Sequence, residues 1–175
     1  MQMNYKSLII ELQDGKKDLD KYRIRRAARG VLRWGNKIAL LNVTKYHYHK
    51  LPGGGIEERE SKEDAFKREI LEETGANCEI LDYGGVTIEY REEEKLLQIS
   101  YVFFAEVVGQ PVGVNFEQSE NDEGFKLEWV PVDKIQEILS QDKPSNYEGS
   151  KFICNRDRAI INFYNERFTD FKLSS

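Results

Sequence analysis

The 175-residue chain holds only two cysteines, two histidines and four prolines. Cys78 and Cys154 have no partners at metal-ligand spacing, which excludes a zinc knuckle or a redox CxxC pair and leaves two free buried thiols. No apolar run approaches ~20 residues, and no basic stretch followed by an apolar one opens the chain. Membrane spanning and secretion are therefore not expected, and a cytoplasmic location is. Basic runs are also missing. The segment "KYRIRR", Lys21 to Arg26, is short and stands alone in a chain of net charge -5, a poor basis for binding a nucleic-acid polymer. Free nucleotides stay open as ligands, because a bound cation offsets their charge. What is present is a globular composition, 39% hydrophobic with 33% charged residues, enough for one domain over residues 1–175 with a charged surface. Residues 1–24 read as a strand-and-loop extension of it.

Patterning gives the order of elements. "KSLIIEL" reads as a short strand and "QDGKKDLDK" as a loop. "IRRAARGVLRWGNKIALLNVT" reads as a hairpin turning at Trp34–Lys37, where Gly35 and Asn36 can take positive φ. "EILDYGGVTIEY" and "KLLQISYVFFAEVV", joined by the charged turn "REEE", read as a second, long antiparallel pair. An acidic loop follows from Glu117 to Gly124, then the strand "FKLEWVPV", broken at Pro131. "VDKIQEILSQ" reads as a short helix and "KFICNRDRAIINFYNERF" as the last one. This sequence of elements predicts an α/β sandwich with helices on the faces of a mixed sheet.

One segment concentrates charge: "LPGGGIEERESKEDAFKREILEETGA", Leu51 to Ala76, has eight acidic residues. Ser61 and Asp64 resemble a capping box, with Glu60 and Glu63 near the positive end of the helix dipole, so a helix is expected from about Lys62 to Thr74. Gly75 suits its left-handed stop. Ala65, Phe66 and Ile70 form a narrow apolar face. Glu69, Glu72 and Glu73 stand three and four residues apart on another face. Carboxylates drawn into one patch repel unless a cation joins them, and hard divalent ions such as Mg²⁺ prefer all-oxygen ligands. A solvated acidic face is the alternative reading. Pro52 and the run Gly53, Gly54, Gly55 sit just upstream, where bare backbone can approach a ligand closely.

Gly54, five residues, Glu60, seven residues and then "REILEETGA" (Arg68 to Ala76) resembles the Nudix box of the MutT-like hydrolases, here spanning residues 54–76. Two departures are Ala76, where a larger aliphatic residue is usual, and Arg59, which places an extra cation beside the site. The resemblance implies an α/β/α Nudix sandwich and hydrolysis of a pyrophosphate bond in a nucleoside diphosphate linked to another moiety, with Mg²⁺ or Mn²⁺ as cofactor. It implies Glu69, Glu72, Glu73 and the Gly53 carbonyl as metal ligands, with Glu69 also a candidate base. Arg68 and Glu60 are expected to form an ion pair that orients the loop. Some family members use a further glutamate outside the box. Here Glu123, in "NDEGFKLEW", is the candidate ligand or base, with Glu120 the runner-up.

Around the box, His47, Lys50, Arg59 and Tyr90 are candidate substrate contacts, against the plainer reading of an exposed strand face and exposed turns. Subfamily marks are sparse. No proline stands about fifteen residues after Gly75, as ADP-ribose hydrolases would have, and Tyr90 lies slightly short of the tyrosine expected of dinucleoside polyphosphate hydrolases. The coenzyme A hydrolase signature is missing as well. A nucleoside triphosphate or related nucleotide is the expected substrate. ADP-ribose or dinucleoside polyphosphate hydrolysis is the alternative within the class, and a nucleotide-binding sensor or regulator the alternative outside it. A nucleotide substrate is the expected partner, together with a homodimeric second copy.

Overall fold

The structure, a computed structural model, describes residues 7–15 and 22–169. The elements in chain order are β1 (Leu8–Asp14), β2 (Arg23–Trp34), β3 (Lys37–Val43), β4 (Tyr48–Lys50), β5 (Gly53–Gly55), α1 (Lys62–Thr74), β6 (Asn77–Arg91), β7 (Leu96–Val108), α2 (Gln118–Asp122), β8 (Phe125–Pro131), α3 (Ile135–Gln141) and α4 (Cys154–Thr169). A 3₁₀ turn (Val132–Lys134) leads into α3 and a π-helical turn (Gly149–Ile153) into α4.

The strands form one mixed sheet ordered β1-β6-β7-β2-β3-β4. Both expected hairpins are present, β2–β3 turning at Gly35–Asn36 and β6–β7 at residues 92–95. Of the first turn's residues Gly35 alone takes a positive φ, 60°. Two pairings are parallel, and β8 joins the sheet antiparallel to β3. β2 runs parallel to β7 along most of its length, and β1 runs parallel to β6. The other edge of β2 is divided: β3 takes Arg33 and Trp34, while β5 takes Ala27–Arg29. Because β3 leaves so early, the glycine strand can wedge against the middle of the sheet.

The sheet is covered on both faces, as an α/β/α sandwich requires. Against one face, Ala65, Phe66 and Ile70 of α1 pack on Ala28, Leu32, Phe103 and Ala105. Against the other, Ile135 and Leu139 of α3 and Ile160, Ile161 and Tyr164 of α4 pack on Val31, Leu40, Val102 and Phe104. Alternation along β2 follows from this, with Ala28 and Leu32 toward α1 and Val31 toward α4. Cys154 is buried and Cys78 half-buried, both as free thiols. The acidic segment expected to be a loop holds a helical turn, α2, closed by a reciprocal capping box between Glu117 and Glu120. Among the described residues no helix is long and apolar enough to cross a membrane.

Candidate active site

Helix α1 has the predicted bounds. The Ser61 Oγ accepts the Asp64 N–H at 3.0 Å and donates to the Asp64 carboxylate at 2.7 Å, which starts the helix. Gly75, at φ 65°, ends it by returning its N–H to the Leu71 carbonyl. The apolar face fixes the rotation of α1 on the sheet, and that rotation sends the glutamates in different directions. Glu73 turns inward beneath β5 and is only 1% exposed. Its Oε2 accepts the Gly53 N–H at 2.6 Å. Its Oε1 is buried with no hydrogen bond and forms an ion pair with the Lys50 ammonium at 3.4 Å.

Glu69 and Glu72 share one cation. Arg68 Nη1 donates to Glu69 at 2.9 Å and to Glu72 at 3.2 Å. The same guanidinium grips Glu60 with Nε at 2.9 Å and Nη2 at 3.1 Å, and Nη2 also reaches the Gly55 carbonyl at 2.9 Å. Arg68 thus pins the glycine loop to α1, as the expected ion pair with Glu60 requires, and that hydrogen bond holds the Glu60 carboxyl below its usual range. The three helix carboxylates do not meet at one point, and among the described residues no group of three or more His, Cys, Asp or Glu side chains has a metal-holding arrangement. The single converging patch drawn from helical spacing is replaced by an outward pair on Arg68 and an inward Glu73. The fit to a cation rests on Glu73. Burial pushes its carboxyl up to about 8, against the opposing pull of Lys50 and the Gly53 N–H. A buried carboxylate oxygen without a hydrogen-bond donor is costly, and the one Lys50 ammonium beside it does not offset its burial. Burial raises the Glu69 carboxyl as well.

Gly54 lies flush against this group: a Cβ added there would fall on the Glu69 carboxylate. Glycine is required where backbone and carboxylate approach so closely.

Beside the loop lies a cavity of about 440 Å³. Gly53–Gly55, Arg68, Glu69 and Lys50 form one side, and Glu117, Ser119, Glu120, Glu123 and Phe125 another. Both candidate glutamates outside the box therefore reach it. They differ in commitment: Glu120 Oε2 accepts the Glu117 N–H at 2.8 Å to close the α2 cap, whereas burial raises the Glu123 carboxyl. Lys50 also stands 4.3 Å from the Phe125 ring centroid.

Three candidate substrate contacts lie outside this cavity. His47, at φ 61°, sits in the turn between β3 and β4, where strand alternation does not apply, and lines a separate cavity with His49, Glu128 and Asp142. Tyr90 packs its ring against Tyr22, 6.3 Å between centroids. Arg59 is exposed on the loop before α1, at φ 66°.

The remaining wall was not anticipated from the sequence. Arg25 and Arg29 of β2, Arg91 of β6 and Arg156 of α4 line it. Buried Glu89 ties two of them: Oε2 accepts from Arg91 at 2.6 and 2.8 Å, and Oε1 from Arg156 at 2.8 Å. Burial alone would raise the Glu89 carboxyl, but Arg156, Arg91 and Arg29 outweigh it and bring it down to about 2. Arg156 also donates to Asp157, whose other oxygen accepts the Leu51 N–H at 2.8 Å. Arg29, buried and donating to the Ser100 Oγ at 3.1 Å, is pulled down to about 9 by burial and by the neighbouring Arg156. The local signal in the sequence was the spacing Arg25-x-x-x-Arg29, which puts both on one face of a strand. The partners on β6 and α4 lie more than sixty residues away.

A NUDIX domain model matches residues 24–152. The chain is 32% identical over 123 residues to an ADP-ribose pyrophosphatase of Methanocaldococcus jannaschii, covering 66% of this chain and 72% of that protein. It is 30% identical over 115 residues to an uncharacterized Nudix hydrolase of Bacillus subtilis, covering 66% and 71%. Among solved structures it resembles a NUDIX hydrolase from Nitrosomonas europaea, with a TM-score of 0.62 at 17% identity over 83% of this chain and 90% of that one.

Proposed function

The chain belongs to the NUDIX domain family, and on that premise we propose that it hydrolyses a diphosphate bond in a nucleotide-type small molecule, with a divalent cation, Mg²⁺ or Mn²⁺, held at the α1 carboxylates. The observation that carries this reading is the buried Oε1 of Glu73 beside the glycine strand, which accepts no hydrogen bond and has only the Lys50 ammonium opposite it. Glu73 and Glu69 would hold the ion, with Glu72 freed from Arg68 and Glu123 approaching from the α2 side. When bound, such an ion neutralises phosphate oxygens and acidifies the attacking water.

The chain's own groups supply the rest. Arg68 holds the Gly55 carbonyl and so fixes the loop on which the substrate rests. Lys50 places a cation at the cavity wall where phosphate charge would lie. Glu123, raised by burial and with its side chain outside the α2 capping box, is a candidate to take the proton from water, as is Glu69, raised by burial too.

A second reading concerns the substrate. The name of the Methanocaldococcus jannaschii relative favours a nucleoside diphosphate linked to a sugar, such as ADP-ribose, over the nucleoside triphosphate expected from the missing subfamily marks. A substrate panel with Mg²⁺ and with Mn²⁺, read by phosphate, diphosphate and nucleoside monophosphate release, tests both. Turnover of at least one diphosphate, lost by at least ~100-fold in Glu72→Gln, is the expected result. A fully active Glu72→Gln would remove the carboxylate helix from the reaction.

A further inference from the structure

The carboxylates of the arginine wall are unevenly shared. Buried Glu89 and Asp157 serve Arg91 and Arg156, and Glu94 and Glu148 also pair with Arg91, at 3.2 and 3.0 Å. Arg29 has only the neutral Ser100 hydroxyl, and among the described residues no carboxylate pairs with it. It is 5% exposed yet lines the cavity. A cation so placed is costly to bury without an anion. Arg156, 1% exposed, also keeps its Nη2 with no partner. Arg25, further out on the same strand, donates to Gln98 rather than to an acid. These are independent signs that the wall is completed by something outside the described residues.

Register says where. Arg29 is paired with Gly53 across β2 and β5, and a Cβ on Gly55 would stand 3.6 Å from Arg25 Nη2. The wall therefore begins one strand away from the glycine loop and runs back under α4. By contrast, the cavity offers little to a base. Phe125 is the only aromatic side chain among the described residues that line it, and the Lys50 ammonium already stands against its ring.

Resting on the hydrolase reading above, we infer that the substrate carries a second anionic group, a phosphate separate from the diphosphate that is cleaved, and that Arg29 with Arg25 and Arg156 binds it. The substrate class is a small diphosphate bearing at least one additional phosphomonoester, selected by charge more than by base. Guanidinium groups suit this task because they meet phosphate with paired, charge-assisted hydrogen bonds.

Matched substrate pairs differing by one phosphomonoester test this: ADP-ribose against its 2′-phosphate, and ribose 1-diphosphate against its 5-phosphate. The expected result is kcat/KM at least ~10-fold higher for the phosphorylated member of one pair, with the preference falling below ~2-fold in Arg29→Gln. Arg25→Gln, on the exposed end of the wall, should reduce the preference partway. Equal use of both members in both pairs, or equal loss on both in Arg29→Gln, overturns the inference. Calorimetric binding of inorganic tripolyphosphate to the metal-free protein separates it from the hydrolase reading. If nothing is hydrolysed but Arg29→Gln weakens tripolyphosphate binding by ~10-fold, the anion site stands and the hydrolase reading falls. If hydrolysis occurs and Arg29→Gln binds tripolyphosphate like the wild type, the anion site falls alone.

Discussion

Glu73 and Glu89 are both buried glutamates beside the same cavity, at 1% and 0% exposure, and burial pushes both carboxyls the same way. They end far apart. Glu89 has both oxygens bonded by arginines and is brought down to about 2. Glu73 has one oxygen bonded by the Gly53 N–H and the other facing only the Lys50 ammonium without a hydrogen bond, and stays near 8. The difference shows which buried charges the fold completes for itself and which it leaves for a ligand. On the arginine side, Arg91 is completed by the fold, whereas Arg156 keeps Nη2 without a partner and Arg29 has no paired carboxylate among the described residues. Beside the cavity there is thus, on the α1 side, a carboxyl whose ionisation burial opposes and, on the β2 side, an arginine with no paired carboxylate among the described residues, as suits a substrate that arrives as a phosphate with a metal ion.

The largest expected effect tests the self-completed half. Glu89→Gln strips the charge between Arg91 and Arg156 and should lower stability by about 3–5 kcal/mol, read as a shift in denaturant midpoint. Glu73→Gln should do the reverse in chelator, leaving stability equal or slightly higher, while turnover with Mg²⁺ falls by at least ~100-fold. If both variants destabilise alike, the contrast between the two glutamates is wrong. Gly54→Ala should come next, because the added methyl displaces the Glu69 carboxylate. We expect a ~10-fold fall in kcat with stability changed by no more than about 1 kcal/mol.

The two carboxyls also predict opposite responses to acid. Glu89 titrates near 2 in the folded protein, below its ordinary value near 4.5, so its contribution is complete above about pH 4.5 and drains away toward pH 2. Glu73 titrates near 8, above that ordinary value, so its contribution is present below about pH 4.5 and falls as pH rises toward 8. Denaturation of the metal-free protein from pH 5 to 8 should therefore show a downward component that Glu73→Gln removes. The smallest effect belongs to Arg59. Outside the cavity and exposed, Arg59→Ala should move KM by less than ~2-fold; a larger change would bring the loop before α1 into substrate contact.

These contrasts track how far apart in the chain the partners lie. The bounds of α1, its Ser61 cap, the Gly75 stop and the Arg68–Glu60 pair are all set within the 26 residues from Leu51 to Ala76, and all were legible. So were both hairpins. What local spacing missed was rotation. Three glutamates on neighbouring helix positions read as one patch, but packing of Phe66 and Ile70 drives Glu73 under the sheet and leaves Glu69 and Glu72 with Arg68. The arginine wall was hidden for a stronger reason. It needs the parallel β2–β7 pairing and the docking of α4, contacts that no pattern in "KYRIRR" or "CNRDRA" announces by itself.

Calorimetric titration of the protein with Mn²⁺ at pH 7, in two buffers of different ionisation enthalpy, bears most directly on the claim that Glu73 is kept open for a cation. Binding should release close to one proton per ion, since the Glu73 carboxyl, near 8 beforehand, must ionise to hold it; in Glu73→Gln the release should vanish and the affinity drop by at least ~10-fold. Mn²⁺ binding with no proton release, or with the same release and affinity in Glu73→Gln, would contradict the account.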